Sequence, residues 1–484
     1  ADHNWASASI PQTDQLSSIH AFAWVLAVFL AGVALGSLLR VRTHHALGAL
    51  GLLALLGSLL YGEAPVLLAG LYEAFGARWM GLTEALLAAV TMAGAPVASG
   101  AVFASVLREA PAERVYGVNT LAGVAGSALT GLWLLPALGV QGVVTGGALV
   151  AAAGASLLQR RPWWLLAVLA VVLVQPGWEG KLFAVGVYNR VSDLGDRSRD
   201  GVRSFATEGW ELVSYRDGRT GAVAVGRSLA TGNTWLSING KVDASTGDDM
   251  PTQVLSGQVP VRMHPAPQRV LVVGLASGVT AGAVLDEGVA ELDVAELEQE
   301  VVVASHHFDH VNGRPLADPR TRLLVQDARA VLARSGRPYD VIISEPSNPW
   351  ITGVSNLFTL EYWLLGRDAL DPDDGVFCQW IQLYGLASQD FRSVVATFTQ
   401  VFPQAWLFEP LEGGDVLLVG SLGHAALDGL PIPPVLGPAG LARLGRGAEL
   451  NTDEHPWVEL RAPRSLHLAT VEDNQALIRR AAVP

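Results

Sequence analysis

The sequence contains little cysteine, lysine or charge, and these shortages exclude several classes of protein. Cys378 is the only cysteine in 484 residues, so the chain can form neither an internal disulfide nor a cysteine-based zinc site. Lys181 and Lys241 are the only lysines, against 30 arginines. Charged residues make up 16% of the chain, whereas an ordinary soluble domain carries about 25%. The net charge of −13 has the wrong sign for binding a nucleic-acid backbone, so no nucleic-acid partner is expected.

The few charges are unevenly distributed along the chain. Only 14 of the 77 charged residues fall within residues 1–178, where seven arginines balance seven acids. Six hydrophobic stretches occupy this part, namely residues 20–39, 46–61, 79–107, 115–135, 140–158 and 162–176. A helix needs about 20 apolar residues to span a bilayer. Residues 1–178 are therefore predicted to be a transmembrane domain of five or six helices, with the lipid bilayer as partner.

The side of the membrane on which the rest of the chain lies depends on the short sixth stretch. Pairs of arginines mark alternate loops, at positions 40 and 42, 108 and 114, and 160 and 161. The positive-inside rule assigns these loops to the cytoplasm. If the sixth stretch spans the membrane, the C-terminal part lies outside the cytoplasm. If the sixth stretch does not span it, the C-terminal part lies in the cytoplasm.

Two further features of the transmembrane domain suggest packing and function. Small residues four apart, at Gly32 and Gly36 and again at Gly123, Ser127 and Gly131, suit close helix packing in lipid. Glu84, within the third stretch, is a functional candidate, and a position near the interface explains it equally well.

The remaining residues read as ordinary globular protein. Residues 179–265 are predicted to form a small β-rich subdomain, in which 210–215 and 221–227 flank a hairpin turn. In residues 266–430, apolar runs alternate with helical segments, which is typical of an α/β domain with a parallel sheet. Its predicted strands are 269–273, 291–297, 322–325, 340–344, 376–381 and 416–420. Residues 431–484 are predicted to be a tail that packs on this domain.

Candidate binding residues follow successive predicted strands. Gly274 and Gly278 form the turn after the first strand, where glycine lets the backbone approach a ligand. Glu296 ends the second strand, Asp327 the third and Glu345 the fourth. Each acid alone is explained as a solvated loop residue or a helix cap. Because the carboxyl ends of parallel strands share one edge, the three acids together predict a binding site there.

Five phrases carry a resemblance to a known family. They are YDVIISEPSNPWITGVSNLFT (339–359), QWIQLYGL (379–386), NTDEHPWVELRAPR (451–464), FLAGVALGSLL (29–39) and ERVYGVNTLAG (113–123). The chain resembles the spermidine synthase (polyamine aminopropyltransferase) family, and more closely its bacterial membrane-fused members. The resemblance implies an α-helical transmembrane bundle, a small β-subdomain and an α/β class I methyltransferase-like (Rossmann-like) domain.

The resemblance also implies roles for single residues. The residues implied to bind S-adenosylmethionine, or its decarboxylated form, are Gly274, Ser277, Gly278, Glu296, Asp327 and Ala328. Glu345 matches the general base that deprotonates the attacking amine, and Gln253 matches a polar gate position near that amine. Asn348 matches an acid that helps hold the cationic amine. Gln379, Gln382 and Tyr384 are predicted to line the acceptor pocket, and a place at a strand end and in the following loop without any ligand contact explains them equally well.

Three departures from the family pattern leave the acceptor open. Ser277 stands where the family has an acid in its glycine turn, and Asn348 replaces the second acid of the D-x-x-D motif. Thr252 stands at the tyrosine of the gate motif. Because a diamine needs carboxylate partners in a desolvated pocket, the loss of an acid weakens the case for putrescine.

The leading hypothesis is a membrane-anchored transferase that moves an aminopropyl group to a small amine or another small-molecule acceptor. The alternatives are a small-molecule methyltransferase on the same fold, and a non-catalytic membrane-complex subunit or transport module. No metal is expected, because His306, His307 and His310 have no acidic partner at a defined spacing. A homodimer and membrane-protein partners both stay open.

Overall fold

The computed structural model describes residues 19–76, 79–192, 194–466 and 468–483. Residues 1–18 of the predicted transmembrane domain lie outside the described residues. The N-terminal part that is described consists of eight α-helices, with a π-helical turn at Thr130–Leu134 between the sixth and the seventh. They are α1 (Ile19–Ser37), α2 (Thr43–Gly62), α3 (Ala64–Phe75), α4 (Met80–Met92), α5 (Gly94–Leu107), α6 (Ala112–Leu129), α7 (Leu135–Gln159) and α8 (Trp163–Val174).

Fewer helices qualify as membrane spans than the sequence predicts. Among the described residues, Ile19–Ser37, Thr43–Gly62 and Ala112–Gln159 are long and apolar enough to cross a bilayer, by length and composition alone. Gly81–Met92 and Gly94–Leu107, bent by 54° at their junction, make a fourth if counted as one span. The fourth and fifth predicted stretches lie within the 48-residue range, which breaks at Gly139, where φ is 67°. The sixth stretch forms a helix of only 12 residues.

Close helix packing occurs at one of the two predicted small-residue motifs. A Cβ atom added to Gly36 would overlap the Val97 carbonyl of α5, so α1 and α5 pack with their backbones in contact. Gly123 and Gly131 of the second motif have no neighbour within 4 Å of such an atom. Close helix packing within one chain therefore does not explain the second motif.

The described helices place the three arginine-bearing loops at one end of the bundle. Arg108 donates to the Val41 carbonyl over 3.2 Å, and the rings of His45 and Trp164 lie 5.9 Å apart. At the opposite end of α8, Gln175 donates to Ser58 of α2 over 3.2 Å. Helix α8 thus runs alongside α2 from the arginine end to the other end.

A linker and a four-stranded sheet follow the bundle. The linker helices are α9 (Gly180–Ala184), α10 (Val187–Arg190) and α11 (Arg199–Thr207), and the strands are β1 (Trp210–Asp217), β2 (Ala222–Ser228), β3 (Thr234–Ile238) and β4 (Lys241–Ser245). The sheet is antiparallel in the order β1-β2-β3-β4, so the predicted hairpin is confirmed. The turn before β4 uses Asn239 and Gly240 with φ of 52° and 81°, as a tight hairpin requires.

The small sheet docks on the end of the bundle that lies opposite the arginines. The Asp217 carboxylate accepts the Val140 N–H over 2.9 Å, just after the break at Gly139. Glu63, at the end of α2, forms a 2.7 Å ion pair with Arg203 of α11. One apolar cluster joins the two parts, with bundle residues Ala64, Leu68 and Leu87 packed together with Trp210 and Trp235 of the sheet.

The rest of the chain forms an α/β unit and a helical tail. Its helices are α12 (Met250–Met263), α13 (Val279–Asp286), α14 (Gln299–Ser305), α15 (Ala328–Ala333), α16 (Leu360–Asp368), α17 (Ser388–Val401), α18 (Pro438–Gly445), α19 (Trp457–Arg461) and α20 (Val471–Ala482). Its strands are β5 (Arg269–Val273), β6 (Glu291–Glu296), β7 (Thr321–Val325), β8 (Val341–Ser344), β9 (Val376–Gln382), β10 (Ala405–Leu411) and β11 (Asp415–Ser421).

The sheet of this unit is mixed and not parallel throughout. The strand order is β10-β11-β9-β8-β5-β6-β7, in which β9, β8, β5, β6 and β7 are parallel. Strand β11 pairs antiparallel with β9, and β10, which was not predicted, pairs antiparallel with β11. The prediction of a parallel sheet is therefore wrong for the strand predicted at 416–420. After β7 the chain returns to the other side of β5, which creates a switch point between β5 and β8.

Candidate active site

A cavity of about 1050 Å³ opens at the carboxyl ends of β5, β6 and β8, next to the switch point. The small sheet closes its other side through β3 and β4. Open α/β sheets bind ligands at such a position. The cavity is large enough for a nucleoside and a second small molecule together.

The glycine turn after β5 forms the floor of the cavity. Gly274 has a φ of 93°, and a Cβ atom there would lie 2.5 Å from the Glu345 carbonyl, so only glycine fits. Gly278 has a φ of 79° and caps the N-terminus of α13. Gly278 shapes the turn from behind, because it is not among the residues that line the cavity.

Glu296 lies at the end of β6, facing the cavity, as its position in the sequence predicts. Its carboxylate accepts the Leu275 N–H over 3.0 Å and the Glu298 N–H over 2.8 Å. Burial raises the pKa of Glu296, and these backbone hydrogen bonds oppose the shift. A carboxylate can accept about four hydrogen bonds, so two remain for ligand hydroxyls.

Asp327 and Ala328 line the cavity at the end of β7. Asp327 is exposed, and its carboxylate caps α15 by accepting the Ala330 N–H over 3.1 Å. The helix-cap explanation of Asp327 is therefore correct. Because the cap uses only one carboxylate oxygen, the other oxygen can still contact a ligand.

Glu345 follows β8 directly and lines the cavity opposite Glu296. Burial raises the pKa of Glu345 to about 7, and the negative charge of Asp415 adds to the shift. Hydroxyls of Ser256 and Thr280 act in the opposite direction. A carboxyl group with such a pKa can accept a proton near neutral pH, as a general base must.

The gate position and the substituted acid of the glycine turn contact each other. The Ser277 hydroxyl donates a short hydrogen bond to the Gln253 side-chain oxygen, and both residues line the cavity. The Gln253 amide also donates to the Ser245 carbonyl over 2.9 Å. Gln253 thus ties the glycine turn of the large sheet to the end of the small one.

An acid that the sequence analysis missed, Asp415, lies on the wall beside Glu345. It begins β11, and the antiparallel pairing with β9 brings it to this edge. Thr252 donates to one of its oxygens over 3.3 Å, and the other oxygen has no hydrogen-bond partner among the residues that the structure describes. Burial, with the charge of Asp249 nearby, raises the pKa of Asp415 to about 7, and Lys241 opposes this.

A buried ion pair on β4 was also missed. Lys241 and Asp243 lie 2.7 Å apart, are 3% and 8% exposed, and both line the cavity. Ser347 donates to the same Asp243 oxygen over 2.6 Å. Within the described part of the chain, the second Asp243 oxygen has no hydrogen-bond partner. The alternation of β4 puts residues 241 and 243 on one face, which could have been predicted had this short strand been recognised.

Some of the predicted acceptor residues lie behind the wall. Tyr384 lines the cavity, but Asn348 and Gln382 are fully buried and are not among its lining residues. The side chain of Gln379 is also buried, where it accepts the Trp363 indole N–H over 3.0 Å. In this structure, Asn348 in the loop after β8 and Gln379 and Gln382 on β9 therefore do not line the cavity.

Within the described residues, no group of three or more His, Cys, Asp or Glu side chains could hold a metal ion. His306 is 60% exposed and lies 3.5 Å from Asp309 at the end of α14.

The α/β part of the chain is similar to proteins of known activity. Residues 253–409 match the family model described as the spermine/spermidine synthase domain. A spermidine synthase of Dictyostelium discoideum is 25% identical over 201 residues, which are 41% of this chain and 70% of that protein. A polyamine aminopropyltransferase of a Synechococcus strain is 31% identical over 175 residues, which are 35% of this chain and 54% of that protein. These similarities indicate a transferase domain.

Among solved structures, a spermidine synthase in complex with the transition-state analogue AdoDATO is similar to this chain. The identity is 20%, the TM-score is 0.42, and the match covers 55% of this chain and 88% of that one. The helical bundle lies outside the region matched by the family model.

Proposed function

We propose that the chain transfers an aminopropyl group from decarboxylated S-adenosylmethionine to an amine. The observation that carries the proposal is one cavity that holds Glu296 on one wall and Glu345, Asp243 and Asp415 on the other. Among the described residues, Asp243 and Asp415 each leave a buried oxygen without a partner, which a cationic amine would satisfy. Because Lys241 neutralises Asp243, it is Asp415 that supplies the negative charge that Asn348 lacks.

The reaction is a direct displacement at the carbon attached to the sulfonium. The amine nitrogen forms a C–N bond while the C–S bond breaks, and the electron pair of that bond neutralises the sulfur. Glu345 takes the proton that the amine loses, and the leaving thioether needs no acid. The protein's further contribution is alignment of the two reactants in the cavity.

Product identity tests this proposal against its closest alternative. The protein is incubated with each nucleoside donor and a panel of amines, and the products are identified by mass spectrometry. Aminopropylated amine supports the proposal. Methylated amine, formed only with the undecarboxylated donor, supports the methyltransferase alternative. If calorimetry detects binding of neither nucleoside donor, both enzyme hypotheses are eliminated.

Replacement of Asp415 by asparagine should shift the pH dependence of turnover. Activity requires deprotonated Glu345, so it should fall as the pH drops through about 7. Removing the neighbouring negative charge should lower the apparent pKa of turnover and raise the acceptor KM by about 10-fold. Rates measured from about pH 5 to about pH 9 give both values. Asp428→Asn, at an exposed position, is the control, and an unchanged pH profile in Asp415→Asn would contradict the assigned coupling.

We further propose that the bundle is a membrane anchor and that the soluble part lies outside the cytoplasm. The small sheet contacts the ends of α2 and α7 at Glu63 and Val140, opposite the three arginine-bearing loops. The positive-inside rule then puts the cavity on the outer side. This side separates the cavity from a cytosolic donor, and it is the observation that favours the second candidate function, a non-catalytic subunit or transport module.

Side-specific labelling distinguishes the two sides. Ala230→Cys, in an exposed turn of the small sheet, should react with a membrane-impermeant maleimide in intact cells. Glu113→Cys, at the arginine end, should react only after permeabilisation. The native Cys378 is fully buried and gives the background. The reverse pattern would put the cavity in the cytoplasm and remove the support for the second candidate.

A further inference from the structure

The acceptor half of the cavity contains a cation of its own. Lys241 has three N–H donors, and among the described residues it reaches two acceptors, Asp243 at 2.7 Å and Ser347 at 3.4 Å. Its ammonium also lies 5.8 Å from the centre of the Trp380 ring. Ser347 is two residues after Glu345, so this lysine is close to the proposed base.

A simple diamine does not complement the Lys241–Asp243 ion pair. Its distal ammonium would satisfy the free Asp243 oxygen, but it would also lie next to the buried Lys241 ammonium. Like charges in a desolvated site repel strongly. A ligand with an ammonium and a carboxylate on one carbon would pair with both members of the ion pair, because its two charges oppose theirs.

We propose that the acceptor is a diamino acid, bound by its α-ammonium at Asp243 and by its α-carboxylate at Lys241. The reacting amine at the other end of the molecule then faces Glu345. This inference rests on the proposed function, because it assigns the second substrate of that site. Lys241 is a specificity residue here, and Glu345 remains the base.

Matched acceptor pairs test the inference. 1,4-Diaminobutane and ornithine differ only by a carboxylate, as do 1,5-diaminopentane and lysine. With the nucleoside thioether bound, calorimetry should show the carboxylated member binding at least about 30-fold more tightly to the wild-type chain. Lys241→Met should remove that preference, and Lys241→Arg should retain part of it.

The second lysine provides the matched control. Lys181 donates to the Thr207 and Trp210 carbonyls and lies outside the cavity lining, so Lys181→Met should leave the ratio within each pair unchanged. Thermal melting and nucleoside affinity confirm that each variant folds. A ratio that is equal in wild type and Lys241→Met, or a wild-type preference for the diamines, would overturn the inference.

Two further results separate this inference from the proposed function. If Lys241→Met alters discrimination between S-adenosylmethionine and its decarboxylated form, and not between the acceptors, the carboxylate belongs to the donor and the inference is wrong. If ornithine binds as expected but no aminopropyl group is transferred, the acceptor inference stands and the proposed reaction fails.

Discussion

Replacement of Glu345 by glutamine is expected to lower turnover by about 10³-fold while nucleoside affinity changes little. The glutamine keeps the shape of the cavity wall but cannot take the proton from the attacking amine. Single-turnover rates and calorimetry with the nucleoside thioether measure the two quantities. Glu208→Gln, at an exposed position outside the cavity lining, is the matched control. Turnover retained by Glu345→Gln would eliminate the assigned base.

The same variant should be more stable than the wild type above neutral pH. In the folded protein the pKa of Glu345 is raised to about 7, so deprotonation costs folding free energy. The cost is absent below the ordinary pKa of about 4.3, grows between the two values and is complete above about 7. Removing the ionisable group should therefore stabilise the protein by about 3–4 kcal/mol at about pH 8 and not at about pH 4. Denaturant unfolding at both pH values checks the sign.

Replacement of Glu296 by glutamine is expected to weaken nucleoside binding by about 100-fold or more. The two oxygens of Glu296 accept N–H groups of Leu275 and Glu298, so an amide would direct its NH₂ at a donor. The ribose would also lose a charged acceptor, and hydrogen bonds to charged groups contribute about 1.5–3 kcal/mol each. Calorimetry with the nucleoside thioether gives the affinity.

The Glu296 and Glu345 variants should separate binding from chemistry. At any pH at which Glu296 is ionised in the wild type, Glu296→Gln should bind the nucleoside more weakly than the wild type. Glu345→Gln should instead turn over more slowly, even when the donor is saturating. If Glu296→Gln binds the nucleoside as tightly as the wild type, Glu296 has only a structural role in holding the glycine turn.

The nucleoside half of the site could be predicted from the sequence because its residues follow buried strands directly. Glu296 ends β6 and Glu345 follows β8 directly. The apolar composition of each strand can be recognised from a few consecutive residues. The register of parallel neighbours then puts both acids at one edge, without any knowledge of the tertiary structure.

The acceptor half could not be predicted in the same way. Lys241 and Asp243 reach the cavity through a five-residue strand of a separate sheet, and Asp415 through an antiparallel hairpin. Strand β4 pairs locally with β3, but its position at the cavity depends on how the small sheet packs against the large one, which no local pattern reports. Asp415 depends likewise on the pairing of β11 with β9. Both faces of β9 are buried, so the alternation of this strand could not show whether Gln379 or Gln382 reaches the cavity.

The apolar cluster shared by the bundle and the small sheet has a consequence for the order of assembly. Ala64, Leu68 and Leu87 are synthesised long before Trp210 and Trp235, with which they pack. Because chains fold from the N-terminus during synthesis, the helical bundle presents an apolar template when the sheet emerges. The bundle is thus a folding partner of the sheet that closes the cavity, in addition to its proposed role as an anchor. A fragment beginning at residue 179 would expose that half of the cluster to water.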